Sequence, residues 1–225
     1  MKSTSLDYVL STLALGLIGV LSLAITGAVS DFFTRPLLGT YHVIADLMIF
    51  LVAFGLFCAI AARLLFRIRP LDEGLIPMDD PRFTVWILYT VLYEFGIGAL
   101  KPFTVMFLRP VIQVLFGARV GKGVALGGKL VEPHLIRIED GAIIGEGSVV
   151  TAHAINSGSI LLASVIVGRG ATVGVGAVVY PGVTIGEGAV IAANAVVRSG
   201  TRIPAGELWG GVPAKRIRGI DEPGE

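Results

Sequence analysis

The sequence predicts a mixed fold, transmembrane α-helices at the N-terminus followed by a parallel β-helix of about five coils, on three observations. The 225 residues are 54% hydrophobic and only 16% charged, against about 25% charged in an ordinary soluble domain. The halves differ in kind: 22 of the 30 glycines fall in residues 117–225, and 16 of the 18 aromatics fall in residues 1–116. Branched aliphatics then recur every six residues through the second half.

The first span covers Tyr8 to Val29, 22 residues without a charge, and as a helix it reaches roughly 33 Å, enough for the hydrocarbon core of a bilayer. A cleaved signal peptide would have a more basic start and a shorter apolar core. A second span runs from Val43 to Ala62 and is closed by Arg63, Arg67 and Arg69, whereas the intervening loop carries Arg35 alone as a cation. The positive-inside rule therefore puts the end of span two, both termini and the second half in the cytoplasm.

From Phe83 to Phe116 the chain is apolar again, but Glu94, Lys101 and Arg109 interrupt it and Pro102 and Pro110 divide it into short pieces. It reads as an interfacial or re-entrant amphipathic connector. The alternative is a third span in which Glu94 pairs with Lys101. Trp86, Tyr89, Tyr93 and Phe95 suit an aromatic belt at the interface. The expected organisation is thus a two-span region over 1–69, a connector over 70–116, and a β-helix domain with a C-terminal cap over 117–225.

Charge and cysteine content exclude other classes. Eighteen Lys and Arg against 17 Asp and Glu leave a net +1, too little positive field to hold nucleic acid. A single cysteine, Cys58, allows neither an intrachain disulfide nor a thiolate zinc cluster.

The six-residue period runs through Val120, Leu126, Ile138, Ile144 and Val150, then Ile155, Leu161, Val167, Val173, Val179, Ile185, Ile191, Val197 and Ile203, with Glu132 breaking the first run. Gly follows the aliphatic at positions such as Gly121, Gly145 and Gly174, where it is expected to permit a corner. A small residue often sits four positions on, as at Ala142 and Ala177. Six suits neither a 3.6-residue helix nor long hairpins; it suits a three-sided prism with the aliphatics inside and three hexads per coil. Coils stack about 4.8 Å apart.

Together the hexads, the stretch EPHLIRIEDGAIIGEGSVVTAH (Glu132 to His153) and the segment WGGVPAKRIRG (Trp209 to Gly219) resemble the hexapeptide-repeat acyltransferases, whose fold is a left-handed parallel β-helix, and among them the polysaccharide O-acetyltransferase branch. The resemblance covers about half the chain. It implies acyl transfer from acetyl-CoA or another acyl-CoA, no metal, a homotrimer with the donor groove between neighbouring prisms, and His153 as catalytic base. With the two spans it implies an integral protein of a bacterial inner membrane, acting on an acceptor such as a lipid-linked glycan.

The residues fit that chemistry on their own terms. Between Val150 and Ile155 the spacing is five, so the ladder slips where His153 appears, which would turn its ring out of the prism. Neutral imidazole suits a base that takes a proton from a hydroxyl or amine attacking a thioester. Asn194, Arg198, Lys215, Arg216 and Arg218 are candidates for the coenzyme A phosphates, and the cations are equally well read as an ordinary solvated cluster. Trp209 covers either the coenzyme or the open end of the prism, the second being preferred. Glu132, His134 and Asn156 are candidates for the acceptor; Glu132 could instead leave the prism as a loop with Pro133. His134, 19 residues before His153, could lie near it, but with His42 before the second span at most two histidines reach the prism, and a histidine-only zinc site is not expected.

Two alternatives stay open. Two spans and one prism also resemble the repeating unit of membrane-bound peptide synthetases, which would form amides from carrier-bound aminoacyl thioesters. In a third reading the prism is a non-catalytic scaffold that only trimerises the spans.

Overall fold

The structure, a computed structural model, describes residues 5–221. It contains two compact units, residues 5–71 with Asp80–Thr104, and Asp72–Asp79 with residues 105–221.

The first unit is helical. α1 (Ser5–Val29) passes through a π-turn (Ser30–Thr34) and α2 (Arg35–Leu38) into α3 (His42–Ile68), and α4 (Pro81–Leu100) packs against both long helices. The stretch Ser5–Ile68 and the stretch Pro81–Phe103 are long and apolar enough to cross a membrane. Leu13, Leu17, Val20 and Leu23 on α1, and Val43, Leu47 and Leu64 on α3, are exposed, so these helices present apolar side chains outward and need lipid or protein around them. The turn between them is tied to α3 by Asp46, which accepts hydrogen bonds from Ser30 (2.8 Å) and Thr34 (2.5 Å). A Cβ at Gly55 would collide with Leu100, so the glycine permits close approach of α3 and α4.

α4 runs unbroken through Glu94 for 20 residues and ends just before Lys101 and Pro102. Pro81, Pro102 and Pro110 each stand in the first turn of the element they open, where a missing N–H costs nothing. Asp80 caps α4 by accepting from the Arg82 N–H at 2.8 Å.

The second unit is the left-handed parallel β-helix of about five coils that the period foretold. Its three faces are ladders of short parallel strands. One stacks Arg119–Val120, Ile136–Ile138, Val165–Val167, Thr184–Ile185 and Arg202–Ile203, the second begins at Ala125–Leu126, and the third at Lys129–Val131. Each hexad sends inward its aliphatic residue and the small residue four positions on; Ala142, Val150, Ala171, Val179, Ala189 and Val197 are fully buried.

Glycine has two separate tasks. Gly145, directly after the aliphatic, keeps an ordinary φ, but a Cβ there would lie 2.6 Å from the Val175 backbone nitrogen of the next coil. The corner itself falls two residues later, at positions such as Gly147 (φ 69°). Corner formation was thus assigned to the wrong glycine; the first one is there for coil stacking.

The rule lapses twice. From Val120 to its partner Ile138 is 18 positions, but from Leu130 to Val150 it is 20, and from Ile138 to Val167 it is 29. The first excess lies between Leu130 and Ile138, eight positions apart across the Glu132–Pro133 step, while the coil from Val120 to Ile138 stays at 18 because Leu126 to Leu130 is only four. The second is an antiparallel hairpin, His153–Asn156 with Ser159–Leu162, around a Ser157–Gly158 turn (Gly158 φ 88°). Ile155 and Leu161 therefore do not occupy prism positions: Ile155 is 48% exposed, and it is Ile160 and Leu162 that are buried. Gly74–Pro77 adds a third, antiparallel strand to this hairpin.

At the far end Glu207–Gly211 and Ala214–Gly219 form a closing hairpin. Trp209 pairs with Ile191 and packs against the prism core, so it caps the open coil.

The glycine roles yield a test. Gly141→Ala, at a corner with φ 69° and open space around it, should cost about 1–2 kcal/mol through backbone strain alone. Gly145→Ala must push two coils apart and should lower the Tm of the purified full chain by clearly more. Equal losses would contradict the stacking role.

Candidate active site

The two lapses meet on one ladder. Val131 pairs with Thr151. Just beyond Val131 the two-residue excess puts Glu132 in the left-handed region, φ 56°. That conformation is uncommon for a side chain with a Cβ and marks a position held by its surroundings. Just beyond Thr151 the chain leaves the prism: Ala152 is the last inward residue, and its carbonyl accepts from the Ala163 N–H (2.9 Å) as the hairpin returns. His153 opens the hairpin.

The result is an imidazole–carboxylate pair. Glu132 is buried, 2% exposed, and its Oε1 lies 2.8 Å from His153 Nδ1. The His153 side chain is 23% exposed, so one edge of the ring meets the carboxylate while part of it is open to solvent. Thr151 fixes the backbone beside it, its hydroxyl accepting from the His153 N–H (3.2 Å) and donating to the His153 carbonyl (3.1 Å). A carboxylate at Nδ1 selects the tautomer protonated there and leaves Nε2, across the ring, as the basic nitrogen.

Glu132 is no surface loop, and its carboxylate is directed at His153. Thr151 was missed, because nothing in a hexad distinguishes its hydroxyl. Glu73 was missed too: its carboxylate accepts from the Ser164 N–H at 2.9 Å, and the Met78 N–H donates to the Gly158 carbonyl at 2.9 Å, so residues 73–78 brace the hairpin that begins at His153.

The other candidates fall as follows. His134, on a 3-10 turn (Pro133–Leu135), has both ring nitrogens shielded from solvent. Burial pushes its pKa down to about 4, so the ring is neutral at ordinary pH. Asn156 is exposed at the hairpin turn. Asn194 stands at a corner with φ 58°, where most hexads have glycine, and its amide covers Gly176. Arg198 is exposed at the next corner. Trp209, Lys215, Arg216 and Arg218 share the closing hairpin, where Glu207 accepts from both Trp209 Nε1 (2.8 Å) and Arg216 Nε (2.9 Å), and Arg218 donates to the Gly219 carbonyl (3.3 Å). Among the described residues there is no group of three or more His, Cys, Asp or Glu placed to hold a metal ion.

Residues 164–199 match the bacterial transferase hexapeptide (six repeats) family. No curated protein matches the chain. Among solved structures, a hexapeptide-repeat acetyltransferase of Vibrio cholerae O1 biovar eltor, complexed with acetyl coenzyme A, is similar at 20% identity over 51% of this chain and 77% of its own, TM-score 0.43. A serine acetyltransferase of Brucella abortus strain S19 is similar at 18% identity over 91% and 69%, TM-score 0.42. A maltose O-acetyltransferase of Clostridium difficile 630 is similar at 20% identity over 74% and 86%, TM-score 0.41.

The state of His134 carries a pH dependence. Its pKa is about 4 folded against 6.5 unperturbed, so between those values the unfolded chain binds more protons and stability falls with acidification. This contribution is intact above about pH 6.5 and, by pH 4, is diminished by on the order of 3 kcal/mol. Thermal unfolding of the full chain between pH 7 and 4.5 should show a smaller acid loss in His134→Leu than in wild type; parallel curves would contradict the buried neutral ring.

Proposed function

We propose that the protein is a membrane-anchored acyltransferase that moves an acetyl or other acyl group from coenzyme A to a hydroxyl or amine, with His153 as general base. The observation that carries this reading is the Glu132–His153 pair at the two breaks in an otherwise regular hexapeptide prism. A fold alone would not support an activity; an imidazole oriented by a buried carboxylate and partly open to solvent does.

In this reading His153 Nε2 takes the proton of the acceptor O–H or N–H as that atom attacks the thioester carbonyl. The new C–O or C–N bond forms, the C–S bond breaks, and the imidazolium returns its proton to the departing thiolate, giving free coenzyme A and neutral imidazole. Glu132 accepts the Nδ1–H throughout and stabilises the transient positive charge on the ring. Thr151 and the brace at 73–78 hold the hairpin that presents the ring.

Lys215 and Arg218 on the closing hairpin, with Arg198 and Asn194, are proposed to meet the coenzyme A phosphates; Arg216 is engaged by Glu207. Three prisms are proposed to pack about a threefold axis with the donor between neighbours, as the resemblance implies. The strand His153–Asn156 is the edge strand of its three-stranded sheet. α1 and α3 are proposed to anchor the chain in the bilayer, with Arg63, Arg67 and Arg69 on the cytoplasmic side where acyl-CoA is found. A membrane-linked acceptor, such as a lipid-linked glycan, suits that arrangement.

The test is thiol release from a panel of acyl-CoA donors by the detergent-purified full chain with a membrane extract. His153→Ala should lose about 10²–10⁴-fold, Glu132→Gln should lose less, and the double variant should be no worse than His153→Ala because the pair acts as a unit. Undiminished release by folded His153→Ala would remove the base. No release from any acyl-CoA would turn the reading toward carrier-bound thioesters or a scaffold.

A further inference from the structure

We infer that α4 does not cross the membrane but dips into a single leaflet and leaves it on the side it entered, keeping the whole His153-bearing unit on the face marked by Arg63, Arg67 and Arg69. The inference rests on the anchoring proposed above for α1 and α3, and it adds a second bilayer contact made by a segment inserted into the catalytic unit.

Two independent observations carry it. The first is connectivity. Residues immediately before α4 (Asp72–Asp79) and those soon after it (from Val105) belong to the same compact unit. On one side Gly74–Pro77 is hydrogen-bonded into the hairpin that begins at His153; on the other the chain enters the first coil at Arg119. A crossing helix of 20 residues, roughly 30 Å long, would place its two flanks on opposite sides of the hydrocarbon. One polar, hydrogen-bonded prism cannot be on both.

The second is the register of α4 along α3. Tyr89 packs on Phe66 with the rings tilted by 36° and their centroids 4.4 Å apart, and Leu100 sits against Gly55. Eleven residues separate the contacts on each helix, so the two run antiparallel in step. The apolar part of α3 ends at Arg63, which puts Tyr89 outside the hydrocarbon and Leu100 about seven residues, roughly 10 Å, inside it. That is the depth of an interfacial helix rather than a span. The same register brings Glu94 to about the level of Ala61, at the edge of the apolar layer. A carboxylate there reaches the headgroups, whereas at the middle of a span it would be costly.

Beyond α4 the chain continues with exposed apolar side chains, Met106 (70%), Phe107 (76%) and Val111 (54%). They belong to the second unit.

Single-cysteine labelling of the full chain tests this. In a Cys58→Ala background, Thr40→Cys, Asp79→Cys and Lys122→Cys are each exposed to a membrane-impermeant maleimide in right-side-out and inverted vesicles. Asp79→Cys and Lys122→Cys should label at least tenfold faster in inverted vesicles, and Thr40→Cys at least tenfold faster in right-side-out ones. Labelling of Asp79→Cys and Lys122→Cys from opposite faces would overturn the inference while leaving the anchor intact. Thr40→Cys labelling from the same face as Asp79→Cys would instead overturn the anchor reading on which it stands.

Discussion

The second unit depends on how little room exists inside a three-sided coil. Each side admits one branched aliphatic and a second apolar residue that is usually small, and the next coil lies so close that at Gly145, Gly168, Gly174 and Gly186 a Cβ would collide with its backbone. This constraint explains the composition of the second half: aliphatics at six-residue intervals, small residues four positions after them, and two kinds of glycine. It also limits where polar chemistry can be placed. An inward ionisable side chain would have neither space nor partner, so reactive groups have to arise where the winding is interrupted.

Both interruptions fall at the ends of paired strands, after Val131 and after Thr151. A two-residue excess turns Glu132 and buries its carboxylate; an eleven-residue excursion starts with His153. Neither interruption suffices alone. Without the first, His153 would meet a regular aliphatic hexad; without the second, Glu132 would be a buried charge lacking the imidazole at 2.8 Å. The rigid coils on either side hold the two together, which is how a scaffold of low chemical diversity can position an imidazole against a buried carboxylate.

The sequence revealed the prism because its period is dictated by backbone geometry and holds at twelve of the fourteen positions that show it. It marked His153, because the period slips there. Ile155 and Leu161 were misleading: an eleven-residue insertion puts aliphatics on nearly the right beat, while the Ser157–Gly158 pair, a two-residue turn between apolar runs, was the signal of a hairpin. The Glu132–His153 contact was not legible, since a pairing 21 residues apart requires the extra length of the side that carries Glu132. Nor was the brace of residues 73–78, which joins segments 91 residues apart through Glu73 and Ser164.

The central claim is that Glu132 sets the state of a single imidazole. The most direct measurement is the ¹⁵N NMR spectrum of histidine-labelled full chain in detergent, with His153 assigned by comparison with His153→Gln. The account predicts that the uncharged form of His153 carries its proton at Nδ1 with Nε2 bare, and is a mixture of tautomers in Glu132→Gln. An uncharged ring protonated at Nε2 in the wild-type protein, or one indifferent to Glu132→Gln, would contradict it.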